Sequence, residues 1–344
     1  MNKPNFKREY WPTDEWQFIS LENAGIDSKK INGIETAVKS QYSNINALIV
    51  VRNGYIVYEK YFNGFNHDDI HNFASVTKSF ISALIGIAID KGYIKNVEQK
   101  VLDFFPEYPV NDDDFQKKAI TIKHLLTMTA PIASKTSGNR WEALDRLRRQ
   151  KNWVNYILDQ LGRNGQFGKF QYSTAGTHLL SAIITRATGM SAREFANKHL
   201  FQPIGINEIP EHKMQSFSLD DVFGKNVSGW INDPQGNSSG GWGLTLNARD
   251  MARFGFLYLN LGQWNGKQII SEKWIDESTS MNTDKYGYLW WLFEINGING
   301  FTAAGSGGNH IYCIPDKDLI VVIASKIIPK PADRFPLIEK IIKL

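Results

Sequence analysis

Two β-branched and aromatic runs, residues 47–51 and 55–62, meet at Asn53-Gly54 near one end of the chain. Four more apolar runs of strand length, 288–293, 301–304, 310–314 and 319–324, crowd the other end. Asn-Gly between two such runs is the strongest short-range hairpin signal, because both central residues of a type I′ turn need positive φ. The first two runs are therefore expected to pair antiparallel. Turn residues at Asn296-Gly297 and Pro315-Asp316 divide the later runs into further hairpins. Between the two ends the hydrophobic period becomes helical. Helix starts fall at Ser173, at the capping box Ser191 to Glu194, at Asn247 with Asp250, and at Ser271, with Gly189 and Gly262 as stops. A final amphipathic helix covers roughly residues 336–343. This order predicts an α/β chain of the α+β type, in which one antiparallel sheet is built from both ends and flanked by helices. Residues 1–95 and 240–344 are expected to form the sheet lobe and 96–239 a mainly helical lobe, with a ligand site in the cleft between them.

Composition narrows the function. The chain has 344 residues, 42% of them hydrophobic, enough for a large core. Its 39 Lys and Arg against 35 Asp and Glu leave a formal charge of only +4. The densest basic stretch, Arg146-Leu147-Arg148-Arg149-Gln150-Lys151, reads as a solvated helix face, so no nucleic-acid partner is expected. Cys313 is the single cysteine, which excludes an intrachain disulfide, and its neighbours read as strand. Residues 1–16 contain no apolar h-region and the longest apolar helical run is too short to span a bilayer, so a soluble, cytoplasmic protein without a membrane span is expected. The oligomeric state is not legible.

Ser75-Val76-Thr77-Lys78 is the one place where a serine stands three residues before a lysine. It lies between a polar lead-in, residues 71–74, and the apolar run 80–89, so Ser75 is expected in the first turn of a buried helix. Residues three apart share a helix face, which brings the amine to the hydroxyl. A serine is a poor nucleophile until a base takes its proton, and a lysine can act as that base once burial lowers its pKa. The competing reading is an N-capping serine and a snorkelling lysine, but a charge placed directly before an apolar run is out of keeping with a purely structural helix.

Tyr172 precedes a helix start at Ser173 and reads either as a residue stapling the helix entry or as a proton relay. A phenol beside a lysine ammonium is more acidic than in water, so Tyr172 and Lys78 together could take the serine proton and deliver it to a leaving group. Ala303-Ala304-Gly305-Ser306-Gly307-Gly308-Asn309 closes one strand and opens another. Its glycines serve a tight hairpin, or let a substrate carbonyl approach the strand edge, where the Ser306 amide would join the Ser75 amide as an oxyanion hole.

At these sites the sequence resembles the serine β-lactamase and penicillin-binding-protein family, in its class C-like branch of esterases, D-amino-acid amidases and nylon-oligomer hydrolases. The resemblance runs over most of the chain. Ser75-Val76-Thr77-Lys78 matches the S-x-x-K box, Tyr172 the tyrosine of the Y-x-N box, and Ala303-Ala304-Gly305 stands where K-T-G would be. Flanking agreement comes from His124-Leu125-Leu126-Thr127-Met128-Thr129, Gly240-Gly241-Trp242-Gly243-Leu244, Asp250-Met251-Ala252-Arg253-Phe254 and Tyr286-Gly287-Tyr288-Leu289-Trp290-Trp291. The resemblance implies a β-lactamase/transpeptidase-like fold, no metal and no organic cofactor. It implies a small-molecule ester or amide as substrate, with Thr174 and Gly305 in the substrate site. Thr174 and Ala303 depart from the pattern, standing in place of an asparagine and a lysine. Losing the lysine removes a charge-assisted contact to a β-lactam carboxylate worth on the order of a few kcal/mol, which points to a less acidic ester or amide.

Other signals are weaker. Gly236-Asn237-Ser238-Ser239-Gly240 matches G-x-S-x-G but lacks a preceding buried strand. His67 and His71 are spaced for a metal pair only if helical, and a solvated loop is expected instead. His124 and His178 are expected to be helix residues with local hydrogen bonds. Trp141, Trp290 and Trp291 could line an apolar acyl pocket, although strand packing suits the last two equally. The reading that results is a serine hydrolase working through an acyl-enzyme on Ser75. The alternatives are a β-lactamase or D-Ala carboxypeptidase, and a non-catalytic penicillin-binding-like sensor or binding module.

Overall fold

The computed structural model describes residues 6–132, 145–163, 165–216, 218–224 and 226–344. Strands β1 (Ile45–Arg52) and β2 (Tyr55–Tyr61) are joined by Asn53 at φ +53 and Gly54 at φ +88, the pair of positive values a type I′ turn demands. From the other end come β3 (Trp291–Ile295), β4 (Ile298–Gly305), β5 (Asn309–Ile314) and β6 (Leu319–Ser325). The six form one sheet in the order β2-β1-β6-β5-β4-β3, antiparallel throughout. The two ends of the chain meet at β1 and β6, where Val50 pairs with Val321.

Both faces of this sheet are covered. Ile49, Val51, Ile311, Val322 and Ala303 point into one apolar cluster with helices α2 (Thr77–Asp90) and α5 (Ala248–Leu259). Their neighbours Leu48, Val50, Tyr312, Val321 and Ile323 point into a second, with α1 (Ser28–Gln41) and the terminal α6 (Phe335–Ile342). The period of two along each strand therefore sorts residues between two cores, and β1 and β6 read as continuous apolar runs for that reason. Between the ends lie α3 (Trp153–Gln160) and α4 (Thr174–Thr188), which pack into the first cluster.

The caps expected at Ser173, Ser191, Asn247 and Ser271 all accept the predicted backbone N–H bonds, and Gly189 closes α4 at φ +72. Two expectations need correction. The strand expected from 288 begins at Trp291, because Leu289 takes φ +62 and its N–H is drawn to the Leu126 carbonyl, which ends any extended run. Helix α5 stops at Leu259, and the first left-handed residue after it is Leu261 at φ +55 rather than Gly262. Gly262 follows, and its N–H closes the turn on the Leu257 carbonyl.

Candidate active site

Helix α2 is buried from Thr77 through Ala88, so its N-terminal end delivers side chains straight into the interior. A single 3₁₀ turn, Ala74–Val76, precedes it. Ala74 sits at φ +49, a left-handed value that costs an L-residue free energy, and the Asn72 side chain and the Thr77 hydroxyl hold that kink at its N–H and carbonyl. Ser75 is carried on this strained corner, half-buried at the edge of a cleft of about 2200 Å³.

Lys78 is 1% exposed, and its Nζ lies 3.0 Å from Ser75 Oγ, 2.7 Å from the Gly241 carbonyl oxygen and 3.3 Å from Thr174 Oγ1. Burial lowers its pKa from 10.5 to about 7, since the charged form has lost its water. A neutral amine has two N–H donors and one lone pair. The Gly241 carbonyl can only accept, Thr174 can accept, and the lone pair is left for the Ser75 proton.

Gly241 is the residue that sequence reasoning treated only as a flank. A Cβ there would lie 2.5 Å from Thr174 Cγ2, 2.9 Å from Thr177 Oγ1 and 3.1 Å from Lys78 Nζ. Its missing side chain lets the backbone reach the amine, and the glycine-rich run 240–243 was the signal. The preceding Gly240 N–H donates weakly, at 3.4 Å, to His178 Nδ1, while His178 Nε2 meets buried Asp233 at 3.0 Å. The expectation of purely local bonds thus holds for His124, whose ring bonds Thr121, and fails for His178, which lies inside the packed interior of α4 and bridges to a distant loop.

The Lys78 amine stands 5.0 Å from the ring centroid of Tyr172, close enough for a cation–π contact when charged. Tyr172 stacks on Trp291 at 5.9 Å and 22°, and Phe170 and Tyr286 pack edge-on against the same indole. Trp291 lines the cleft, whereas Trp290 is wholly buried against Phe254 and Tyr258. Trp141 lies outside the described residues.

Gly305 ends β4 against the serine corner. A Cβ on it would fall on the Phe73 carbonyl oxygen and 3.2 Å from the Ser75 nitrogen, so only glycine permits this approach. Ser306 follows, exposed in the cleft wall. Ala303 is 0% exposed and faces the first core, so the strand brings no cation to the cleft at that position.

The remaining signals fall away. Ser238 is buried and accepts a bond from the Arg193 N–H. His67 is exposed, but His71 is buried in a short bridge to Leu246 and stacks on Phe65, because this end of the loop is pulled into sheet pairing. The expected solvated loop therefore holds only for His67. Cys313 is buried, and burial pushes its thiol up. Among the described residues no group of three or more His, Cys, Asp and Glu side chains could hold a metal ion, and no helix is long and apolar enough to cross a membrane.

The beta-lactamase family description matches residues 35–342, nearly the whole chain. The chain belongs to the beta-lactamase family. It is similar to the 6-aminohexanoate-dimer hydrolase of Paenarthrobacter ureafaciens, 26% identical over 303 residues that span 80% of this chain and 71% of that one. Among solved structures, a penicillin-binding protein from Bacillus halodurans superposes with TM-score 0.68 at 18% identity, covering 90% of this chain and 99% of its own. A family VIII carboxylesterase gives 0.64 at 17% identity, covering 92% and 95%. At these identities the structures share the fold. Membership of the beta-lactamase family makes the chain a serine hydrolase by class, with a 6-aminohexanoate-dimer hydrolase, a carboxylesterase and a class C beta-lactamase among its neighbours.

Proposed function

We propose that this member of the beta-lactamase family cleaves a small ester or amide, less acidic than a β-lactam antibiotic, through a covalent acyl-enzyme on Ser75. The observation that carries the reading is the buried Lys78 amine, its pKa drawn down to about 7, at 3.0 Å from the Ser75 hydroxyl. The Ser75 proton passes to Lys78 as Oγ bonds to the substrate carbonyl carbon. The oxyanion that forms is bound by the Ser75 and Ser306 amides. Tyr172 hands a proton to the leaving group as its bond to the carbonyl carbon breaks, and Lys78 returns one to the phenol. Water then attacks the acyl carbon, giving its proton to the same pair, and Ser75 leaves with a proton restored. Thr174 holds the amine by its hydroxyl, Gly305 leaves room for the carbonyl at the strand edge, and Trp291 offers an apolar wall to the acyl or leaving group.

The cleft between the sheet lobe, 1–95 with 240–344, and the helical lobe, 96–239, is where such a substrate would sit. Ala303 in place of a lysine favours substrates without a carboxylate, because no cation at that position can repay its desolvation. The test is labelling by a fluorophosphonate, compared between wild type and Ser75→Ala, followed by chromogenic esters, D-amino-acid anilides and a cephalosporin. Labelling lost in Ser75→Ala and rapid ester or anilide turnover are expected. Labelling that persists in the variant would mean another nucleophile, fast cephalosporin turnover would make the enzyme a beta-lactamase, and stoichiometric labelling without turnover on any substrate would make it a sensor or binding module.

A further inference from the structure

The turn after β4 is held by a buried arginine. Gly307 and Gly308 take φ +88 and +81, and the carbonyls of this turn are occupied one by one. The Gly305 carbonyl accepts the Gly308 N–H at 3.3 Å, and the Ser306 carbonyl accepts Asn309 Nδ2 at 2.7 Å. The Gly307 carbonyl accepts Asn44 Nδ2 at 2.8 Å and Arg334 Nη2 at 3.2 Å. The Gly308 carbonyl accepts Arg334 Nε at 3.4 Å and the Ser325 hydroxyl at 3.3 Å. Arg334 is 2% exposed, with its guanidinium 5.0 Å over the Tyr42 ring. Its further partners are Asn44 Oδ1 at 2.8 Å, the Ala332 carbonyl at 3.2 Å and Ser325 Oγ at 3.3 Å. All five acceptors around it are neutral oxygens.

A buried cation among neutral acceptors is an expensive way to anchor a helix, since an apolar side chain would pack there with no desolvation cost. The arrangement makes sense if the guanidinium's function is directional. Its planar fork grips two successive carbonyls, and a Cβ on Gly308 would lie only 2.6 Å from Nε, so the glycine exists to admit it. Peptide planes are rigid, so fixing the carbonyls of residues 305–308 fixes the N–H groups that share their planes, Ser306 among them.

We propose that Arg334 is a positioning residue that holds turn 305–309 by the Gly307 and Gly308 carbonyls, and so sets the direction in which the Ser306 amide meets a developing oxyanion. This rests on the hydrolase reading above. Arg334 acts through the turn: its hydrogen bonds run to backbone carbonyls, Asn44 and Ser325.

The test compares wild type, Arg334→Gln, Arg334→Lys, Asn44→Ala and Ser75→Ala on a neutral chromogenic ester, with fluorophosphonate labelling rates, urea midpoints and the pH profile of kcat/KM. A misdirected donor should lower kcat and the labelling rate together by roughly 10- to 100-fold in both Arg334 variants, with KM within about twofold and the acidic limb of the pH profile unmoved. Lysine should not rescue, because it lacks the fork. Folded Arg334→Gln with kcat within twofold of wild type overturns the proposal, as does a loss carried by KM or by a shifted pH limb. If the Arg334 variants do not fold, Asn44→Ala decides: it removes one donor from the Gly307 carbonyl and should lower kcat severalfold, and unchanged kcat overturns the clamp. Turnover surviving in Ser75→Ala instead overturns Ser75 as the nucleophile, and with it the site reading on which the clamp rests.

Discussion

Replacing Lys78 with methionine should make the protein more stable and catalytically dead, with a pH dependence that identifies the amine. Burial lowers the lysine pKa from 10.5 to about 7, which at about 1.4 kcal/mol per pKa unit corresponds to roughly 5 kcal/mol of strain borne by the charged form. Methionine has similar length and no charge to desolvate, but it strips the Gly241 carbonyl of its 2.7 Å donor, at a cost of about 1–3 kcal/mol. At pH 6 the variant should therefore exceed wild type by about 2–4 kcal/mol. The unfolded chain keeps its lysine proton up to the ordinary pKa, whereas the folded chain releases it near 7. Between those values the unfolded state binds more protons, so wild-type stability rises with pH. The variant's advantage should stay flat below about pH 6 and shrink by about 3 kcal/mol between pH 6.5 and 9.5. Urea unfolding followed by tryptophan fluorescence, run on both proteins across that range, measures the gap directly, and other titrating groups cancel in the difference. Ester turnover should fall by about two to four orders of magnitude in the variant. In wild type, kcat/KM should climb about tenfold per pH unit up to about 7 and then level. A stability gap indifferent to pH, or a variant that still turns over substrate, would refute the neutral-amine base.

Gly241→Ala pushes a methyl group to within 2.5 Å of Thr174 Cγ2 and 3.1 Å of Lys78 Nζ, so ester kcat should drop at least about tenfold and the urea midpoint should report a loss of about 1–3 kcal/mol. Tyr172→Phe keeps the stack on Trp291, so unfolding should be nearly unchanged while kcat falls by about two orders of magnitude, and a wild-type kcat would exclude the phenol as proton carrier. His178→Leu leaves Asp233 buried without its imidazole partner, and equilibrium unfolding should register a loss of about 3 kcal/mol, toward the lower end of what breaking a buried pair costs, because Asn237 still donates to that carboxylate.

Local rules are visible in sequence wherever a residue acts on its near neighbours. The Asn53-Gly54 hairpin, the caps at Ser173, Ser191, Asn247 and Ser271, and the Ser75/Lys78 spacing all depend on contacts within a few positions, and each falls where the pattern indicates. Leu289 and Leu261 in left-handed conformations escaped notice because nothing in a leucine advertises positive φ, and the surrounding packing imposes it.

The sequence alone determined the family pattern, the helical pitch that joins a hydroxyl to an amine, and the two strand-rich ends. Only the tertiary structure decided how strongly the amine's basicity is shifted. That depends on burial, to which distant segments contribute: the Gly241 carbonyl, 163 residues away along the chain, reaches Lys78 because two glycines pack against α4. The same holds for Arg334 at the β4 turn, since a side chain's electrostatic surroundings are set by distant segments that periodicity cannot register.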